Sequence, residues 1–346
     1  MARRGDTHRL MRWLWTSRRL DARLVRLSLL PASGLWRAAT AARDAAYTRG
    51  WLPAHELAIP SVGVGNLTVG DSGKTPVALW IARHYAAQGI RPALVLRTGT
   101  PQRAAAHAHA VPTAIVVSGA DRGAGVAAAA REGAGVAILE NTLQPRAVHP
   151  DFAVAVVGAE TSRAVRWPLP AGPWREGWGV LAHADAVVVT RKRATAAAAA
   201  ELADELQRHT AGVVAVAHLG LRHLEGLVSR AERPATLLAG RRVVAASGMV
   251  DPDAFVSHIK GTGAAVQVAT WQAEGEMRDE DVAWLAHAAR RADFVVVTEH
   301  DAVKLRDRWP ARVAEPLVAV LDLTWERNGD AIAAGLDAVV APVELV

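Results

Sequence analysis

A glycine-rich segment near residue 70 constrains the fold of this chain more than any other feature. The β-branched run Ser61–Val64 precedes the glycines, and a helix-forming run begins at Lys74. In this order of strand, glycine turn and helix, successive backbone N–H groups converge on an anion in front of a helix N-terminus. The sequence therefore predicts a loop that binds the phosphates of a nucleotide.

Individual residues of this loop have expected roles. Lys74 is expected to reach the β- and γ-phosphates of ATP, and the Thr75 hydroxyl to bind Mg²⁺. The first position of the loop, where the common pattern has glycine, is Thr68. The residues predicted to bind the cofactor are Thr68, Val69, Gly70, Asp71, Ser72, Gly73, Lys74 and Thr75.

From Trp51 onward, strand-like and helix-like runs alternate. This alternation predicts an α/β fold with a mainly parallel, P-loop NTPase-like sheet and helices on both faces. A change of pattern near residues 220–240 indicates a second, smaller α/β domain. We expect a basic amphipathic segment at 1–50, a nucleotide-binding domain at 51–225 and the smaller domain at 226–346. Predicted strands include 61–64, 93–96, 114–117, 136–139, 153–157, 186–190, 242–246 and 294–298, and predicted helices include 76–88, 123–131, 194–209, 253–260 and 279–291.

Composition excludes several classes of protein. The 346-residue chain has no cysteine, so disulfides and cysteine-ligated zinc are excluded, and a cytosolic setting fits. Residues 1–50 contain eleven arginines and three aspartates, whereas the whole chain has a net charge of +6. The remainder is therefore slightly acidic, which argues against a nucleic-acid-binding face.

The basic N-terminal segment is too interrupted to span a membrane. Its longest uncharged run, Leu27–Trp36, falls short of the roughly twenty residues that a bilayer requires. Arginines also interrupt any apolar core of a signal peptide. We expect a helix or helix pair, broken at Pro31 and Gly34, that lies peripherally on an anionic membrane surface. The alternative is a helix packed on the domain with a solvated arginine face.

Four blocks of sequence occur in a characteristic order and spacing: Val64–Pro76, Leu169–Glu176, Ala245–Gly248 with Pro252 and Phe255, and Thr298–Leu305. Together they resemble the motifs of the tetraacyldisaccharide 4′-kinase family of lipid A biosynthesis. The resemblance implies ATP- and Mg²⁺-dependent phosphorylation of a lipid disaccharide 1-phosphate at the cytoplasmic face of the bacterial inner membrane. It implies a lipid substrate, no nucleic acid and no obligate protein partner.

The chain departs from the family pattern in its acidic blocks. The family's D-D-G-x-Q-H motif corresponds to residues 140–145, where Glu140 keeps one acid and Gln144 is unchanged. The G-D-E-P and D-H-H blocks are absent. Glu140 is expected to bind Mg²⁺ or its water, and Asp121 and Asp301, with His300 beside the latter, are candidates for the missing base.

Three functions are consistent with this pattern. The first is the lipid kinase, and the second is a nucleotide-binding relative that has lost catalysis and acts as a regulator or scaffold. The third is a generic P-loop ATPase or GTPase with a protein partner, although the sequence has no guanine-reading N-K-x-D motif.

Overall fold

A computed structural model of the chain describes residues 10–11, 13–17, 19–52, 56–69, 72–97, 101–143, 148–160, 166–248, 252–270 and 277–341. Their contacts form two compact units. The large unit comprises the described residues of 12–219 and 323–341, and the small unit comprises 220–322 with Leu10 and Met11. The predicted limit at 225/226 lies close to the boundary at 219/220, whereas the described residues of 12–50 and 323–341 group with the large unit.

The helices and strands of the described residues follow in chain order. They are α1 (Leu20–Ser28), α2 (Leu30–Thr48), β1 (Ser61–Asn66), α3 (Lys74–Ala87), β2 (Pro92–Leu96), α4 (Pro101–Ala110), β3 (Ile115–Ser118), α5 (Arg122–Arg131), β4 (Val136–Glu140), β5 (Phe152–Gly158), β6 (Ala186–Arg191), α6 (Ala196–Gln207), β7 (Val213–Gly226), β8 (Glu232–Arg233), β9 (Arg242–Ser247), α7 (Asp253–Gly261), β10 (Ala265–Thr270), α8 (Asp279–Ala289), β11 (Phe294–Thr298), α9 (Glu299–Leu305), β12 (Leu317–Arg327) and α10 (Gly329–Val340). Short 3₁₀ turns occur between some of them.

The sheet of the large unit is parallel, with the strand order β3-β2-β4-β1-β5-β6-β7. Every residue of β1 is buried, and β1 lies between β4 and β5. A strand covered on both faces is apolar along its whole length, which explains the valine-rich runs of this region. The phosphate-loop sequence leaves β1 at its carboxyl end, where open parallel sheets bind ligands.

Helices cover both faces of this sheet. On one face, α3 and α10 pack together, and the hydroxyl of Tyr85 donates to the backbone oxygen of Leu336 at 2.8 Å. On the other face, α5 packs on β2 and β4, and α6 packs on β5 and β6. The predicted P-loop NTPase-like α/β class is confirmed.

The small unit is also α/β. Its strands β10, β9, β11 and β12 form parallel neighbours in that order. Phe255, Val256 and Ile259 of α7 pack on one face, whereas α8 and α9 contribute to a separate apolar cluster on alternate residues of the same strands. Because these strands are covered on both faces, they contain few polar residues.

The N-terminal helices belong to the large unit. The hydroxyl of Ser33 donates to the backbone oxygen of Pro168 at 3.0 Å, and the Trp15 indole donates to that of Pro170 at 3.0 Å. The break between α1 and α2 falls at Leu29, before the predicted position. Pro31 lies in the first turn of α2, where the missing N–H is tolerated, and Gly34 lies inside that helix. Among the described residues, no helix combines the length and apolar character needed to cross a membrane.

Candidate nucleotide and phosphoryl-transfer site

The start of the phosphate loop is held by the segment 167–176, which contains the second sequence block. The backbone N–H of Val69 donates to the carbonyl of Pro173 at 2.8 Å, and the N–H of Arg175 donates to that of Leu67 at 2.8 Å. The Asn66 amide also donates to the carbonyl of Thr68. These bonds fix the direction in which the loop leaves β1. Gly70 and Asp71 lie outside the described residues.

The end of the loop requires glycine at position 73. Gly73 has φ of +80°, and a Cβ there would lie 2.6 Å from a methyl carbon of Leu219. The Thr190 hydroxyl donates to the carbonyl of Ser72 at 2.7 Å. The left-handed residue and this hydrogen bond turn the chain so that α3 begins at Lys74, with its N-terminus directly after the loop.

Two loop hydroxyls are buried without a hydrogen-bond partner in the part of the chain that the structure describes. They belong to Thr68 and Ser72, whose exposed fractions are 1% and 2%. A buried hydroxyl without a partner costs free energy, and in native proteins such groups often have a functional reason. A phosphate in the loop would supply acceptors for both of them.

Glu140 ends β4, the strand beside β1, and is paired in register with Val64. Its side chain is only 1% exposed, yet it lies in a cluster of basic groups. Its Oε1 contacts Nε2 of His107 at 2.9 Å, and its Oε2 accepts a hydrogen bond from Nη2 of Arg103. Burial alone would raise the pKa of Glu140, but the His107 hydrogen bond and the positive charges of Arg103 and Lys74 outweigh it and lower the pKa. Glu140 is therefore a buried anion at neutral pH.

Arg103 joins Glu140 to the loop. Its Nη2 donates to Oγ1 of Thr75 at 3.3 Å and also to Glu140. Oxygen atoms of this kind are the ligands that Mg²⁺ prefers. However, the Arg103 guanidinium is hydrogen-bonded to both of the predicted Mg²⁺ ligands, Thr75 and Glu140. In this arrangement Thr75 and Glu140 do not fit a shared Mg²⁺, and the described residues contain no cluster of three or more acidic, histidine or cysteine side chains that would.

The remaining acidic candidates have structural contacts. Asp121 is the N-cap of α5 and accepts the N–H of Ala124 at 3.0 Å. The next residue, Arg122, donates to the carbonyls of Glu140 and Asn141 at 3.2 and 2.9 Å. Asp121 is thus connected through its neighbour to the end of β4, and its catalytic role stays a prediction.

Asp301 belongs to the small unit and is fully buried. Its Oδ2 accepts from the N–H of Gly248 at 3.0 Å and from the Thr298 hydroxyl at 2.7 Å. Its Oδ1 has no hydrogen-bond partner among the described residues. The carboxylate therefore ties the end of β9 to the start of α9, and a role in proton transfer stays a prediction.

Sequence reasoning missed Arg103 and His107 because α4 was not predicted. The signal for that helix was present: an alanine-rich stretch follows Pro101, a residue favoured in the first turn, and the two basic residues are spaced i, i+4 on one face. The carbonyl of Arg103 is bonded to Nδ1 of His107 at 2.8 Å. Both side chains therefore meet Glu140 from one helical turn.

Sequence reasoning also missed a carboxylate, Glu160, which follows β5. Its Oε1 accepts three backbone N–H groups, from Lys192 at 2.7 Å, Arg193 at 2.8 Å and Ala194 at 3.1 Å. Burial raises the pKa of Glu160, but these three bonds outweigh it and lower the pKa. Glu160 fixes the turn after β6, the strand that supplies the Thr190 contact to the loop.

The strand, loop and helix with Lys74 and Thr75, next to a buried acid on the neighbouring strand, define a P-loop nucleotide-binding protein. Residues 25–341 match the model of the family described as tetraacyldisaccharide-1-P 4′-kinase, LpxK. The chain belongs to this family.

Individual relatives agree with this assignment. The tetraacyldisaccharide 4′-kinases of Anaeromyxobacter sp. strain K and Geobacter metallireducens are 32% and 34% identical, over 90% and 82% of this chain and 90% and 89% of their own lengths. The crystal structure of LpxK from Aquifex aeolicus in complex with ATP has the same fold. Its TM-score is 0.72 at 22% identity, and the match covers 92% of this chain and 100% of that one.

The Glu140 cluster predicts unequal effects on stability of two histidine substitutions, one inside the cluster and one at an exposed position. His107→Ala removes a buried bond to a charged group and should lower the free energy of unfolding by about 1.5–3 kcal/mol. His287→Ala, at an exposed position of α8, is the control and should change it by less than about 0.5 kcal/mol. Urea denaturation of both variants measures the difference, and equal stabilities would contradict the cluster.

Proposed function

We propose that this protein transfers the γ-phosphoryl group of ATP to the 4′-hydroxyl of a tetraacyl disaccharide 1-phosphate, a lipid A precursor. The observation that carries the proposal is the phosphate loop at the N-terminus of α3, with Lys74 and Thr75 beside the buried anion of Glu140. Membership of the family and the names of the relatives supply the acceptor. Nothing in the described site favours the non-catalytic alternative or a GTPase.

The residues have separate tasks in this proposal. Backbone N–H groups of the loop and the ammonium of Lys74 bind the polyphosphate, since phosphoryl transfer depends mainly on positioning and charge neutralisation. The buried hydroxyls of Thr68 and Ser72 supply further donors. Mg²⁺, when bound with ATP, neutralises phosphate charge. Glu140 holds the basic groups of α4 close to the start of α3, so that positive charge lies near the proposed phosphate site.

The acceptor would enter beside the N-terminal helices. A cleft of about 440 Å³ in the large unit is lined by α2 and by residues 166–178, and contains Arg37, Arg166 and Arg175 together with two acids, Asp44 and Glu176. Arg166 is paired with Glu205, so Arg37 and Arg175 are the stronger candidates for binding the acceptor. Arginine suits the 1-phosphate of the disaccharide because its planar fork pairs with phosphate oxygens. The same segment contacts the phosphate loop through Pro173, which supports a shared site for the two substrates.

The N-terminal helices carry an exposed apolar face. Leu20, Leu24 and Leu27 follow helical spacing on α1 and are 75%, 66% and 51% exposed, whereas Arg26 of the same helix is buried and donates to the carbonyl of Leu14 at 2.9 Å. Of the two arginines in α1, Arg26 is therefore buried and Arg23 is exposed, while the leucines face the solvent. With the many basic residues of 1–50, this apolar face supports peripheral binding to the anionic cytoplasmic face of the inner membrane.

Transfer of ³²P from labelled ATP to the lipid disaccharide tests the proposed activity. We expect transfer by the wild type and its loss in Lys74→Ala, with ATP affinity at least about tenfold weaker because a charged phosphate contact is removed. Lys260→Ala, at the exposed end of α7 in the small unit, is the control and should behave as the wild type. ATP binding without transfer by the wild type would contradict the proposal and indicate the non-catalytic relative.

Flotation with anionic liposomes tests the membrane face in the full-length chain. Replacing Leu20, Leu24 and Leu27 together by glutamine should reduce partitioning at least about tenfold, because buried leucine contributes roughly 1.5–3 kcal/mol. The control replaces three exposed apolar residues of the small unit, Val228, Val268 and Trp284. High salt should release part of the wild type. Equal flotation of the two triple variants would remove the basis for this face.

A further inference from the structure

We propose that Arg103 is the resident cation of the pair formed by Thr75 and Glu140, and that it makes ATP binding by this protein nearly independent of Mg²⁺. In P-loop proteins generally, the loop threonine or serine and an acid on a neighbouring strand hold Mg²⁺. Here a guanidinium is bonded to both of those positions. The inference rests on the proposed binding of ATP and not on phosphoryl transfer.

The contacts of Arg103 are those of a bridging cation. One nitrogen, Nη2, donates both to Thr75 Oγ1 at 3.3 Å and to the Oε2 atom of Glu140. The Glu140 side chain is 1% exposed, so water contributes little to its charge balance, and its second oxygen contacts His107. Both carboxylate oxygens therefore already have protein partners.

Arg103 is held in position by a hydrogen bond to its backbone carbonyl as well as by the hydrogen bonds of its side chain. His107 contacts Glu140 through one ring nitrogen and the carbonyl of Arg103 through the other, at 2.8 Å. The resulting ring of contacts holds the first turns of α4 against the end of β4. The Arg103 side chain is a third exposed, so the guanidinium remains accessible to a ligand.

A guanidinium and a divalent cation cannot share these two oxygen atoms. A metal at Thr75 and Glu140 would have to displace Arg103 from a buried carboxylate, and the next residue, Asn141, has no charge with which to bind it. A guanidinium has five N–H donors, and its geometry matches phosphate oxygens as well as carboxylates. Arg103 and Lys74 together would neutralise the polyphosphate, and Mg²⁺ would add little to affinity.

Calorimetric titration with ATP, once in excess EDTA and once in excess Mg²⁺, tests this inference. In the wild type, the two dissociation constants should agree within about threefold. In Arg103→Ala, binding in EDTA should be weaker than in Mg²⁺ by about tenfold or more, the loss expected from one charged phosphate contact. Arg131→Ala, on the exposed end of α5, is the matched control and should keep the wild-type ratio.

If Arg103 had only a structural role, Arg103→Ala would weaken ATP binding equally in EDTA and in Mg²⁺. The ratio of the two dissociation constants therefore distinguishes a structural role from direct phosphate binding. Arg103→Gln keeps a polar donor and replaces Arg103→Ala if the latter unfolds. A tenfold dependence of the wild type on Mg²⁺, or an unchanged ratio in both Arg103 variants, would overturn the inference. Failure of the proposed transfer would appear in the lipid assay instead, because these titrations contain no acceptor.

Discussion

The buried charge of Glu140 is the interaction on which the arrangement of the site depends. A carboxylate that is almost inaccessible to water is costly unless hydrogen bonds and opposite charges compensate it. Arg103 and His107 provide that compensation, and in doing so they bring α4 to the end of β4. Thr75 ties the same group to the start of α3. One ionised side chain thus connects the start of α3, the end of β4 and α4.

A second set of contacts links the phosphate loop to α2, the helix that directly follows the proposed membrane face on α1. The segment 167–176 accepts a bond from Val69 of the loop and another from Ser33 of α2. The N–H of Ala171 in this segment also donates to the Ser33 hydroxyl at 3.1 Å. The N-terminal helices therefore share a short, hydrogen-bonded connection with the residues proposed to bind ATP. Such a connection suits a reaction between a soluble nucleotide and a lipid.

Local sequence predicted the elements whose signals are local. The glycine loop, the valine-rich strands and the alanine-rich α6 were expected from turn chemistry and from continuous burial, and their bounds are close to those observed. The cluster around Glu140 was not predicted, because it joins residues more than thirty positions apart through a helix, α4, for which no expectation was made. The break between the N-terminal helices was predicted at Pro31 and Gly34 but occurs at Leu29. The prediction was wrong because proline is compatible with the first turn of a helix. The sequence shows that an acidic residue ends β4, but it does not show which cations neutralise that residue.

The most direct test of this account is a crystal structure of the protein with ATP and Mn²⁺, in which anomalous scattering locates the metal. We predict that Mn²⁺ contacts phosphate oxygens only, and that Arg103 stays hydrogen-bonded to Glu140 and Thr75. An anomalous peak within about 2.2 Å of both Thr75 Oγ1 and a carboxylate oxygen of Glu140, with Arg103 displaced, would contradict the account.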